Sequence, residues 1–84
     1  MNIVEIRLIT HTKLKNLHDD RISVFEQDIM EIQFEDNSVR KIAMFMQKDI
    51  TDRDYYEIIP TKKTKTKILM HDDILDEEKY EDDE

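Results

Sequence analysis

The sequence predicts a mainly β protein, all-β or α+β. The expected body is a small antiparallel sheet or barrel of about five to six short strands. An acidic C-terminal tail follows it, with a short helix as one form open to that tail. Three observations lead there. Apolar and polar residues alternate with period two in several short runs, as strands with one buried face do. Glycine is absent and proline occurs once, so turns fall to Asn, Asp, Ser and Thr, the other residues that tolerate left-handed or side-chain-capped backbone. Charge is segregated: nine of the 21 acids and one of the 13 basic residues lie in residues 72–84, which leaves twelve of each in residues 1–71. The net charge of −8 therefore belongs to the tail.

The first run alternates Val4, Ile6 and Leu8 with Glu5, Arg7 and Ile9, a half-buried strand over about residues 2–10. Residues 16–20 read as a turn. Ile22 to Glu26 is short and rich in β-formers, a second strand. The cleanest alternation sets Met30, Ile32 and Phe34 against Glu31, Gln33 and Glu35, which turns the latter three outward. Asp36-Asn37-Ser38 then supplies a turn. Val39 to Gln47 returns, with Ile42, Met44 and Met46 on one face and Val39, Lys41, Ala43 and Phe45 on the other. Residues 29–47 thus predict a β-hairpin, with a helix over residues 40–48 as the rival, because Ala, Met, Gln and Lys favour helices. Another turn falls near residues 49–54. Tyr55 to Ile59 forms a strand that Pro60 ends, since proline cannot donate to a ladder. Thr61 to Lys67 alternates threonine with lysine, as an edge strand protected from edge-to-edge association does. Ile68-Leu69-Met70 makes the last strand. The divisions are a β-rich domain over 1–71 and the tail over 72–84.

Several classes are disfavoured by composition. With 84 residues and no cysteine, the chain makes one domain at most and has neither disulfide nor thiolate metal site to help it. A chain this short buries a modest core, for which a homodimer is a natural remedy. The N-terminus lacks the basic n-region and apolar run of a signal peptide, and no stretch approaches the ~18–20 apolar residues that span a bilayer. A cytoplasmic protein is expected. An acidic surface is repelled by DNA and by anionic membranes, so neither is an expected direct partner. Without glycine no phosphate-cradling loop is possible, no catalytic constellation is signalled, and exposed carboxylates lack the enclosure that tunes a catalytic acid. No enzyme and no cofactor are expected.

The tail Asp72, Asp73, Asp76, Glu77, Glu78, Glu81, Asp82, Asp83 and Glu84 has two readings. The plainer is a solvated, solubilising segment kept open by self-repulsion. The sharper is a polyanion surrogate. B-DNA carries one charge per ~1.7 Å. Nine carboxylates on a helix of ~20 Å give one per ~2.2 Å, whereas extended over ~43 Å they give one per ~5 Å. Glu31 and Glu35 are the body carboxylates expected to assist. Lys62, Lys63, Lys65 and Lys67 form a basic run that either touches phosphate, with Tyr55 and Tyr56 as stacking platforms, or keeps an edge strand soluble. His11, His18 and His71 match no zinc spacing, and Asp72-Asp73-Asp76-Glu77 lacks the glycine of a calcium loop. No metal site is expected.

A small, cysteine-free chain ending in Asp76-Glu77-Glu78-Lys79-Tyr80-Glu81-Asp82-Asp83-Glu84 resembles the bacteriophage early proteins that mimic DNA. These include the dimeric inhibitors of the bacterial nucleoid protein HU made by Bacillus phages and phage inhibitors of uracil-DNA glycosylase. The resemblance is one of size, charge and layout. It implies a host-takeover inhibitor that sits on a basic DNA-binding protein, HU-like by preference, in the host cytoplasm. The alternative from the residues themselves is a β-sheet nucleic-acid binder that its own tail inhibits.

Overall fold

A computed structural model describes residues 1–71. The tail and every expectation placed on it lie outside the described residues. The body is all-β, with strands β1 (Ile3–Asn16), β2 (Gln27–Phe34), β3 (Val39–Ala43), β4 (Lys48–Asp49) and β5 (Tyr56–His71). They form one antiparallel sheet in the order β4-β3-β2-β1-β5. The sheet stays open and does not close into a barrel.

The β2–β3 hairpin forms as its alternation requires. Ser38 donates to the Asp36 carboxylate from both its backbone N–H (2.9 Å) and its hydroxyl (2.6 Å), while Asn37 takes the left-handed backbone at φ 72°, which asparagine tolerates better than most residues. The returning strand is shorter than expected. It ends at Ala43, and residues 44–47 turn instead. Met46 N–H donates to the Gln27 side chain at 3.3 Å, tying that turn to the start of β2. No helix forms at residues 40–48. Ile22–Glu26 is not a strand either. Only Ile22 bridges, to Lys15, because the chain there folds back on the end of β1 through Ser23 N–H to Leu14 O at 2.7 Å. Pro60 does not end a strand: it lies within β5, opposite Thr12. As the edge strand, β5 has a side on which no ladder donor is required.

Register places side chains on faces, because residues directly opposite each other share one. One face holds the rows His71–Glu5–Gln33–Val39, Ile68–Arg7–Glu31–Lys41 and Thr66–Ile9–Ile29–Ala43. Beyond them on this face come Thr12 with Gln27, then Leu14 with Ile58, then Asn16 with Tyr56. The core is here: Leu14, Ile29, Ala43 and Ile50 are buried, with Ile9, Tyr56 and Ile58 against them. Ile50 comes from the segment between β4 and β5, which covers this end of the sheet. The other face holds the rows Met70–Ile6–Ile32–Arg40 and Lys67–Leu8–Met30–Ile42–Asp49.

The covered side of β2 is thus the side of Ile29, Glu31 and Gln33. Met30 and Ile32 lie on the face that the described residues leave open. This reverses the expected orientation of Glu31 and Gln33. Alternation separates two faces, but the residues between the strands decide which one is covered.

Candidate partner-binding surfaces

The predicted site residues of the body are Glu31 and Glu35. Glu31 sits on the core face at the polar end of the sheet, with its side chain 16% exposed. Its Oε1 accepts from Arg7 Nε at 3.0 Å, and Lys41 Nζ lies 3.8 Å from its Oε2. Arg7 also holds Glu5 and donates to Gln33 Oε1 at 3.0 Å, and His71 Nε2 is 3.4 Å from Glu5 Oε1. This is one ladder of alternating charge across β5, β1, β2 and β3. Burial disfavours the charged guanidinium of Arg7, but the hydrogen bonds and charges of Glu5 and Glu31 outweigh it and its pKa is raised. The charge of Glu31 is therefore already matched within the chain.

Glu35 differs. It is exposed just beyond β2, held by its backbone N–H donating to Asn2 O at 3.0 Å. Ile3 pairs with Phe34 and Glu5 with His71, so Glu35 and Asp36 share the sheet end from which β5 leads into residue 72. The other predicted partner residues, Asp72, Asp73, Asp76, Glu77, Glu78, Glu81, Asp82, Asp83 and Glu84, lie outside the described residues.

The lysine run has a local cause for its shape. His11 adopts φ 57° and forms a bulge in β1. Opposite it, β5 carries the extra segment Thr61–Thr64 between the pairs Thr10–Lys65 and Thr12–Pro60. Thr61 and Thr64 both donate from Oγ1 to His11 O, at 2.6 and 2.8 Å. The loop so pinned presents Lys62 and Lys63 beside Lys65 and Lys67, and the four line an open groove of ≈ 680 Å³ with Leu8, Thr10, His11 and Asp28. None of these lysines has an ion-pair partner among the described residues. Asp28 is the one carboxylate of the groove, and its Oδ1 accepts from His11 N–H at 3.3 Å.

Tyr55 and Tyr56 are not brought to this groove. Tyr56 packs on the core face at the opposite end of the sheet, with Tyr55 beside it and His18 tilted against Tyr55 at 4.3 Å between ring centroids. The stacking platform and the phosphate-binding lysines expected together are therefore apart. His11 pairs with Glu26 at 3.2 Å. Among the described residues no group of three or more His, Asp or Glu side chains is placed to hold a metal ion, and no helix is long and apolar enough to cross a membrane.

Sequence reasoning missed two features. The Arg7 ladder is visible only once register is known. The other is an apolar cluster on the segments that cover the core: Val24 is 77%, Phe25 59% and Phe45 64% exposed, and the two phenylalanine rings meet at 5.4 Å. Val24 and Phe25 belong to a run whose composition predicts a strand, and the irregular backbone at residues 22–26 leaves them outside.

No protein-family model, curated protein or solved structure matches this chain. Its function is to be argued from charge and geometry.

Proposed function

We propose that this protein is a DNA-mimic inhibitor. It binds and does not catalyse, occupying the nucleic-acid-binding surface of a basic host DNA-binding protein, a HU-like nucleoid protein for preference, in the bacterial cytoplasm. One observation carries the reading: the whole net charge of −8 lies in residues 72–84, attached to a body that neutralises itself. Within that body Arg7 meets Glu5 and Glu31, Lys41 meets Glu31, Arg40 meets Asp49, Arg21 meets Asp19 and Lys15 meets Asp20. Glu35, at the sheet end that leads into the tail, adds to the anionic side. Glu31 contributes less, being paired. A dense carboxylate run draws cationic partners over a range set by salt and competes with duplex DNA for the same lysines and arginines.

The test uses the full-length chain and a variant with the nine tail acids changed to Asn and Gln. Affinity capture from a bacterial lysate at low salt should return basic DNA-binding proteins with the first bait and not the second, and added duplex should displace them. If the native bait captures no DNA-binding protein at low salt, the reading is wrong.

A second reading has its own observation, the groove of Lys62, Lys63, Lys65 and Lys67. There the body binds nucleic acid and the tail competes intramolecularly. The neutralised variant separates the two, since it would then gain a gel shift with single- or double-stranded probes. The remoteness of Tyr55 and Tyr56 from the groove favours the first reading.

A further inference from the structure

Among the described residues the sheet is covered on one face only. Their core holds four buried apolar side chains, Leu14, Ile29, Ala43 and Ile50, all on that face or over it. The other face presents Ile6, Leu8, Met30, Ile32 and Ile42, each half-buried by its neighbours in the sheet and none enclosed. Met70 extends the stripe onto β5. Sheets with an apolar face bury it against a second layer, and an uncovered stripe of this kind marks an interaction surface.

The rows on this face indicate the layer. Across the five strands one row reads Lys67, Leu8, Met30, Ile42, Asp49: a cation at one edge, three apolar residues, and an anion at the other. Such a row is complementary to its own reversal. A two-fold axis running along β2 in the interface lays Met30 on its mate, Leu8 on Ile42, and Lys67 on Asp49 twice over.

We infer that a second copy of this chain covers the open face, sheet on sheet, with Met30 at the axis and Lys67 of each copy beside Asp49 of the other. The packing is the aligned one, with sheets ~10 Å apart, and it is isologous as two-fold dimers are. Five strands at ~4.8 Å span about 24 Å. A face of that width and similar height buries about 1,200 Å² over both copies, at the lower limit of specific interfaces. Two like-charge approaches arise in this register: Asp28, next on this face of β2, is brought towards its own mate, and Lys67 reaches an Asp49 that Arg40 of the same copy already meets at 3.5 Å. The inference rests on residues 1–71 alone and not on the reading of the tail.

The experiment uses the full-length chain. Sedimentation velocity should show a dimer at micromolar concentrations. Zero-length carbodiimide coupling of mixed light and ¹⁵N-labelled protein should give Lys67–Asp49 peptides that join one light and one heavy half. Within one copy these residues stand on opposite edges, about 19 Å apart by strand spacing, so coupling inside a chain is excluded. Lys67→Asp and Asp49→Lys should each weaken the dimer at least about tenfold by setting like charges together. The double variant should recover much of the loss, and Asp28→Asn should tighten the dimer. Both edge positions are exposed, but Asp49 also accepts from Thr51 and meets Arg40 in its own copy. Thermal melting of each variant, read beside sedimentation, therefore separates a loss of fold from a loss of the dimer. A monomer throughout this range would overturn the proposal, leaving the face to a different partner. So would a dimer with no mixed-isotope Lys67–Asp49 link, or one indifferent to all three substitutions.

Discussion

Ile29 and Met30 are neighbours in β2 with opposite surroundings. Ile29 is wholly buried and belongs to the core, so Ile29→Ala should cost about 2–5 kcal/mol, the range for truncating a buried aliphatic side chain. Met30 faces the open side, and its truncation should act on association more than on the fold. Denaturant titrations at two protein concentrations distinguish the two effects. Thr12 is equally buried, and its hydroxyl donates to Gln27 O at 2.8 Å. Thr12→Val keeps the volume and removes that donor, and should lose about 1–2 kcal/mol, read from the same titration. Asp49 gives a pH signature. The Thr51 hydroxyl, the Thr51 backbone N–H and Arg40 hold its carboxyl below the usual range, and Ser38 does the same for Asp36. A carboxyl whose folded pKa is depressed stabilises the fold above its unfolded value, near ~3.9, and that stability is lost as pH falls through the folded value. Thermal midpoints should therefore hold from neutral pH to about 4 and drop below it. Thr51→Val should flatten the drop, and an unchanged slope in that variant would remove Asp49 from the explanation.

At the scale of elements, the absence of glycine has a price in backbone strain at specific turns. His11, Asp20, Asn37 and Gln47 all have positive φ. Asn37 and Asp20 suit it, and both lie where turns were expected. Gln47, at φ 53° in the turn before β4, does not, because its Cβ crowds the carbonyl. Gln47→Gly should raise stability by about 0.5–1 kcal/mol, the relief being partly offset by the greater freedom of glycine in the unfolded chain. Gln47→Val should lower it. Chemical denaturation with matched slopes checks both. These turns also show how far the sequence could be read. Asp36-Asn37-Ser38 and the alternation around it were sufficient for the hairpin, since turn chemistry and period are local. The single long β5 was not legible, because whether Pro60 ends a strand depends on which side of the sheet it occupies, a tertiary fact. Nor was the covered face: Ile9 and Leu14 lie on it and Leu8 does not, with the bulge at His11 between them, and Ile50 from a distant segment decides the matter. Of the two body carboxylates named as a site, Glu35 stood exposed as expected. Glu31 met Arg7 and Lys41, whose positions only register supplies.

For the molecule as a whole, two surfaces of different physical character are joined at His71: a self-neutralised sheet with an apolar face, and a segment of −8. They should answer salt oppositely in degree. Binding to a basic partner through the tail releases counterions and is screened within a Debye length of ~10 Å at 0.1 M. Between about 50 and 200 mM salt its affinity should fall at least about tenfold, less steeply than the ~10³–10⁵ of a protein with six to ten phosphate contacts, because single carboxylates condense fewer ions than a duplex. Pairing through Leu8, Met30, Ile32 and Ile42 rests on apolar area, which salt at these concentrations hardly touches. Its dissociation constant should move by no more than about threefold, given that exposed pairs such as Lys67–Asp49 contribute little alone. Calorimetry of the captured partner and sedimentation of the free protein, run over one salt series, give both slopes. A partner affinity flat in salt would mean that the tail is not the contact, however acidic it is. A steep slope shared by both processes would mean that charge, not the apolar face, holds the copies together.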